Sequence, residues 1–137
     1  MALHPETIAE LTRQARAAST RAYCPYSKFH VGAAILTDDG QIFAGCNVEN
    51  ASYGLTICAE RNAIFSAVAA LAVLPVITAV MVYTPTSIPT APCGACRQVI
   101  NEFGPDAEVL CVCDGPESIR MTLSALLPEA FGPKNLA

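Results

Sequence analysis

Residues 58–82, CAERNAIFSAVAALAVLPVITAVMV, decide the fold. From Ala63 to Val82 the chain carries no charge and is almost wholly apolar, matching the ~20 residues of a membrane span. Pro75 divides it. Before Pro75 lies an Ala-rich helical pattern with Ala63, Ile64, Ala67, Val68 and Leu71 as its interior. After it come the β-branched residues Val76, Ile77, Thr78, Val80 and Val82. The stretch is therefore predicted to be helix, turn and buried strand, with no membrane span.

Upstream, Val31-Gly32-Ala33-Ala34-Ile35-Leu36 is a continuous apolar run, as in a strand covered on both faces. Asp38-Asp39-Gly40 predicts a hairpin turn, and Gln41 to Cys46 the return strand. Pro5 opens an amphipathic helix with Ile8, Leu11, Ala15, Ala18 and Ala22 on its apolar side. Downstream, Pro85, Pro89 and Pro92 mark a loop, and Val99, Ile100 and Phe103 line a helix that begins after Pro92. A strand from Glu108 to Cys113 ends at Asp114-Gly115-Pro116, and a short helix around Thr122 to Leu127 stops at Pro128. This order predicts one α/β domain over residues 1–137, with a mixed sheet between helices and right-handed crossovers after the hairpin.

Composition narrows the class. Hydrophobic residues make up 53% of the 137 positions and charged ones 15%, against a usual ~25%. So few charges on so small a domain imply that other subunits cover part of its surface. The net charge of −4 lacks the basic stripe of a nucleic-acid-polymer binder. Seven cysteines at these spacings do not form a secreted framework, and the N-terminus shows no cationic start followed by an apolar core. Both features place the chain in a reducing cytoplasm.

Three cysteines carry the chemistry. Cys93 and Cys96, three apart at a helix start, can turn both sulfurs to one ion, and Cys58 supplies a third from the start of the helix that follows it. A helix N-terminus favours thiolates. Three protein ligands leave the fourth tetrahedral position of a zinc ion to water, the layout of a catalytic site. Zinc lowers the pKa of bound water to ~7, and Glu60, two residues after Cys58, is placed to carry the proton. Three thiolates also leave excess negative charge on the zinc, which Arg61 can partly take up by hydrogen bonding to the sulfurs. The alternative is a closed structural zinc module, which needs a fourth ligand such as Cys111 or Cys113. Cys24, Cys46, Cys111 and Cys113 otherwise read as packing residues.

Cys58-Ala59-Glu60 followed by Pro92-Cys93-Gly94-Ala95-Cys96 resembles the three-cysteine zinc deaminase signature, a pattern that belongs to the general description of such sites. Together with Pro25 to Ala34 and Asn47 to Gly54 it resembles the small homotetrameric cytidine deaminases, from Tyr23 to Phe103. The resemblance implies a three-layer sandwich with a five-stranded sheet. It leaves one strand to be found after Pro116. It also implies one zinc per subunit, a nucleoside substrate, and attack of zinc hydroxide on C4 with Glu60 shuttling protons. Asn47 and Glu49 would bind the ribose hydroxyls, Phe29 would pack on the nucleoside, and Ala59 would line the substrate site. Tyr53 is either a core residue or, by the resemblance, one at a subunit boundary of the site; Phe131 is either a terminal anchor or a stacking residue in a neighbouring subunit's pocket. Blasticidin-type deaminases share the cysteine signature and remain an alternative, although Asn47-Val48-Glu49-Asn50 and Ser27-Lys28-Phe29 favour a nucleoside.

Overall fold

A computed structural model describes residues 3–137. The helix at Pro5–Ser19 (α1) is followed by strands Gly32–Thr37 (β1) and Ile42–Cys46 (β2) and the helix Ala59–Ala70 (α2). Strand Ile77–Tyr83 (β3), helix Gly94–Phe103 (α3), strands Glu108–Val112 (β4) and Ile119–Thr122 (β5) and helix Leu123–Leu126 (α4) complete the order. The five strands form one mixed sheet in the order β2-β1-β3-β4-β5, parallel only between β3 and β4.

The period of two along each strand sorts side chains into two cores. Ala34, Leu36, Ala79, Met81, Tyr83 and Leu110 meet Leu11 and Ala15 of α1 on one face. Ala33, Ile35, Val80, Val82, Val109 and Cys111 meet Ala63, Ile64 and Ala67 of α2 and Ile100 of α3 on the other. Every residue of β1 is buried, as its unbroken apolar run predicts. These are the three layers expected of the sandwich.

Residues 58–82 fold as predicted, with α2 ending at Ala70 and β3 starting at Ile77. Among the described residues no helix is long and apolar enough to cross a membrane. Three expectations are adjusted. The apolar series that reaches Ala22 outruns α1, which closes when the Thr20 N–H turns back to the carbonyl of Ala17. Val68, assigned to the interior of α2, lies at its surface. The strand missing from the sequence is β5, an edge strand with partly exposed residues that pairs antiparallel with β4.

Two glycines set how closely the helices approach. A Cβ on Gly45 of β2 would lie 2.4 Å from the Ala63 nitrogen and 2.8 Å from the Ala59 carbonyl oxygen. One on Gly32 of β1 would lie 1.8 Å from the Ala15 carbonyl oxygen. Backbone, not a yielding side chain, fills these places, so α1 and α2 rest directly on the sheet. Gly45→Ala is expected to lower stability by about 1–3 kcal/mol, read from urea unfolding, because the extra methyl must displace helix backbone. An unchanged unfolding midpoint would show that α2 does not rest on β2 in this way.

Candidate active site

The first turn of α2 and the first turn of α3 meet over the sheet. Cys58 and Cys93 are the residues immediately before the two helices, each with extended backbone, and Cys96 lies in the first turn of α3. Cys93 thus caps its helix instead of lying within it, and its sulfur still reaches the common point. The three Sγ atoms lie within 4.8 Å of one another, with Cys58 and Cys93 3.9 Å apart. At a zinc–sulfur distance of ~2.3 Å, a tetrahedral ion separates its sulfurs by about 3.8 Å. The donor set and its spacing therefore fit zinc. Neither Cys111, Cys113, His4 nor His30 joins the group among the described residues. Cys113 instead directs its sulfur at the carbonyls of Gly115 and Glu117.

Electrostatics favour negative charge at Cys58. The Cys58 thiol is pulled down to about 5, first by its hydrogen bond with Cys96, and further by Arg61 and Cys93. Cys96 moves upward, because the thiol that donates to Cys58 keeps its proton and because it is buried. The Arg61 guanidinium lies 3.4 Å from the Cys58 sulfur, and this contact raises its own pKa. Among the described residues its buried Nε–H has no acceptor. A guanidinium is held this way at a cost that extra negative charge on the sulfurs offsets.

Glu60 is 5% exposed, and its carboxylate has no hydrogen-bond partner beyond its own backbone among the described residues. Burial is the main reason its pKa rises to about 7, with the charge of Cys58 adding to the shift. A carboxyl near neutrality can accept and return a proton at similar cost, as a general acid–base group must. Cys111 lies in the core cluster that includes Ala59, and burial pushes its thiol up to about 12, so it stays neutral.

Asn47, Glu49 and Phe29 also come together, through the chain itself. The Asn47 carboxamide accepts from the Val31 N–H (2.9 Å) and donates to the Phe29 carbonyl (2.7 Å). That leaves one N–H and one lone pair of the amide for a ligand. Glu49 accepts from the N–H groups of Tyr26 and Ser27 and from the Ser27 hydroxyl, which depresses its pKa. The Ser27 oxygen in turn accepts from the Phe29 N–H. Lys28, with φ of 61°, makes the turn that closes this loop. Tyr26, Ser27, Glu49, Tyr53 and Thr56 line an open cleft of about 260 Å³, with the Tyr26 and Tyr53 rings 5.8 Å apart. Ala59 is fully buried at the start of α2, whereas Tyr53 and Phe131 stand in solvent at 75% and 58% exposure. The Phe131 carbonyl accepts from Gln98 and Asn101 of α3, so the tail is tied to the helix that carries two of the sulfurs.

Sequence reading passed over two polar residues of these helices. Asn62 donates to the Cys46 carbonyl (2.8 Å) and links α2 to the residue before Asn47. Arg97 donates from Nε to the Pro92 carbonyl (2.8 Å) and from Nη1 to that of Leu126 (2.9 Å). Each sits one residue beyond a residue already singled out, and that adjacency was the available signal.

Residues 5–113 match the family model of the cytidine and deoxycytidylate deaminase zinc-binding region. A protein named cytidine deaminase from Sporosarcina psychrophila is 42% identical over 95% of this chain and 95% of its own length. The crystal structure of a cytidine deaminase from Burkholderia pseudomallei superposes with a TM-score of 0.83 at 49% identity, covering 90% of this chain and 98% of that one. That of Mycobacterium tuberculosis gives a TM-score of 0.75 at 39% identity, over 91% and 97% of the two chains. The match spans both helix starts and all three sulfurs whose geometry fits zinc, and the chain belongs to the zinc-binding cytidine and deoxycytidylate deaminase family.

Proposed function

We propose that this protein is a zinc-dependent cytidine deaminase, a single-domain enzyme converting cytidine or deoxycytidine to the corresponding uridine with release of ammonia. The observation that carries the reading is a buried, near-neutral carboxyl, Glu60, two residues from one of three sulfurs that converge within 4.8 Å. Cys58, Cys93 and Cys96 would hold zinc, which when bound supplies a water acidic enough to add to C4 of the pyrimidine. Glu60 would take one proton from the attacking water and pass it to N3 of the ring, then take the second from the new C4 hydroxyl and give it to the amino group, which leaves as ammonia as the C4 carbonyl forms. One carboxyl acting first as base and then as acid needs a pKa near the working pH, which its buried site supports. Arg61 takes up part of the thiolate charge at Cys58. Because Glu49 braces the loop that presents Phe29, and Asn47 pins the carbonyl of Phe29 itself, the two residues assigned to the ribose also fix the aromatic surface for the nucleoside.

The same reading makes the protein a cytoplasmic homotetramer acting in pyrimidine salvage, with sites shared between subunits. Exposed Phe65, Val73, Leu74, Tyr53 and Phe131 on one chain are consistent with surface that other copies cover. Tyr53 at a subunit boundary and Phe131 in a neighbour's pocket would complete each site. A polynucleotide substrate is disfavoured by the net charge of −4.

Glu60→Gln is expected to keep its fold and its zinc stoichiometry while turnover of cytidine falls about 10²- to 10⁴-fold. Activity within tenfold of wild type would remove Glu60 from the chemistry. Removal of zinc with a chelator should abolish ammonia release, and zinc alone should restore it. X-ray absorption at the zinc edge is expected to fit three sulfurs and one lighter atom; four sulfurs would mean a closed structural site.

A further inference from the structure

Of the three sulfur-bearing residues, Cys93 is the most exposed. Cys96 is fully buried and Cys58 is contacted by Arg61, whereas Cys93 is exposed and precedes its helix. Packing therefore does not fix its sulfur, and the orientation of the two peptide groups that flank it must do so.

Both of those peptide groups end on one residue. The Pro92 carbonyl, on the N-terminal side of Cys93, accepts from Arg97 Nε at 2.8 Å. The Cys93 carbonyl, on the other side, accepts from the Arg97 backbone N–H at 3.0 Å. The second bond is ordinary helix geometry that any residue but proline supplies. The first depends on the side chain. The other end of the guanidinium reaches the Leu126 carbonyl at 2.9 Å, anchoring it to the end of α4. Pro92 is itself fully buried, so its carbonyl would otherwise lose water without a partner. A planar guanidinium can serve two carbonyls in different directions, and a lysine ammonium on a flexible stem does so poorly.

We propose that Arg97 is a positioning residue for the zinc site: by gripping the Pro92 carbonyl it sets the backbone of Cys93 and aims its sulfur at the point shared with Cys58 and Cys96. This rests on the zinc reading above. The geometry also ties the metal site to the C-terminal segment, because α3 holds Leu126 through Arg97 and Phe131 through Gln98 and Asn101.

The test compares wild type, Arg97→Met, Arg97→Lys and Asn101→Ala, each stripped of metal and titrated with zinc against a chromophoric chelator. Arg97→Met is expected to lose 10- to 100-fold in zinc affinity, about the cost of removing a group that orients a metal ligand. Arg97→Lys should lose about tenfold. Asn101→Ala, which removes one of the two bonds from α3 to the tail without touching either peptide beside Cys93, should stay within twofold. In zinc-saturated protein kcat should fall for the Arg97 variants with KM little changed, since Arg97 does not line the cleft of Tyr26, Ser27, Glu49, Tyr53 and Thr56. Zinc affinity of Arg97→Met within threefold of wild type, or an equal loss in Asn101→Ala, would overturn the proposal. If Arg97→Met yields no folded protein, Arg97→Lys decides by the same titration: a tenfold loss supports the role and wild-type affinity defeats it. Wild-type protein that fails to bind zinc would instead sink the zinc reading, a distinct result.

Discussion

Three sulfurs gathered at one point are a problem of charge before they are a site. As thiolates they repel one another, and one of them, Cys96, is sealed from water. The fold answers with two helix N-termini, each worth about half a positive charge, directed at the same place. Arg61, from the first turn of α2, adds a full charge 3.4 Å from Cys58. The neighbouring thiols and Arg61 favour the charged form at Cys58, while at Cys96 its bond to Cys58 and its burial work against it. A divalent cation at the spacing these sulfurs hold would supply further positive charge.

That arrangement constrains everything hung on α2. Because Gly45 lets the helix rest on β2, the residues at its start have little freedom in height above the sheet. Glu60 follows Cys58 by two positions and is carried into the same dry space, where burial raises it toward neutrality. Glu60 and Cys58 therefore share the start of one helix. Asn62 ties the helix to Cys46, so the segment of Asn47 and Glu49, to which the proposed function assigns the ribose, is referenced to the same helix.

Much of this could be read from the chain, and the limits are physical. The layers follow from parity: alternate residues of Ala33 to Leu36 and Ala79 to Tyr83 face opposite cores, and both sets are apolar. The ligand trio follows from the spacing of Cys93 and Cys96 after a proline, with Cys58 at a second helix start. β5 was hidden because a partly exposed edge strand of four residues carries no unbroken apolar run and only a weak alternation. Asn47 and Glu49 were legible as residues of interest, but not their inward bonds, since a carboxamide that pins Phe29 and one that waits for a ribose look the same in sequence. Arg97 was invisible for a related reason: its partners are carbonyls at Pro92 and Leu126, and backbone acceptors leave no mark on residue identity.

The exposed aromatics bring the surface into the argument. Tyr53 and Phe131 stand in solvent on a chain with unusually few charges, and each is attached to machinery: Tyr53 to the cleft braced by Glu49, Phe131 to the helix bearing Cys93 and Cys96. An aromatic ring left in water gains free energy when a partner covers it, roughly in proportion to the area removed from solvent. On the proposed assembly, covering Phe131 would also immobilise the tail that Gln98 and Asn101 hold. Subunit contact would then complete the site through this ring as well as add to stability.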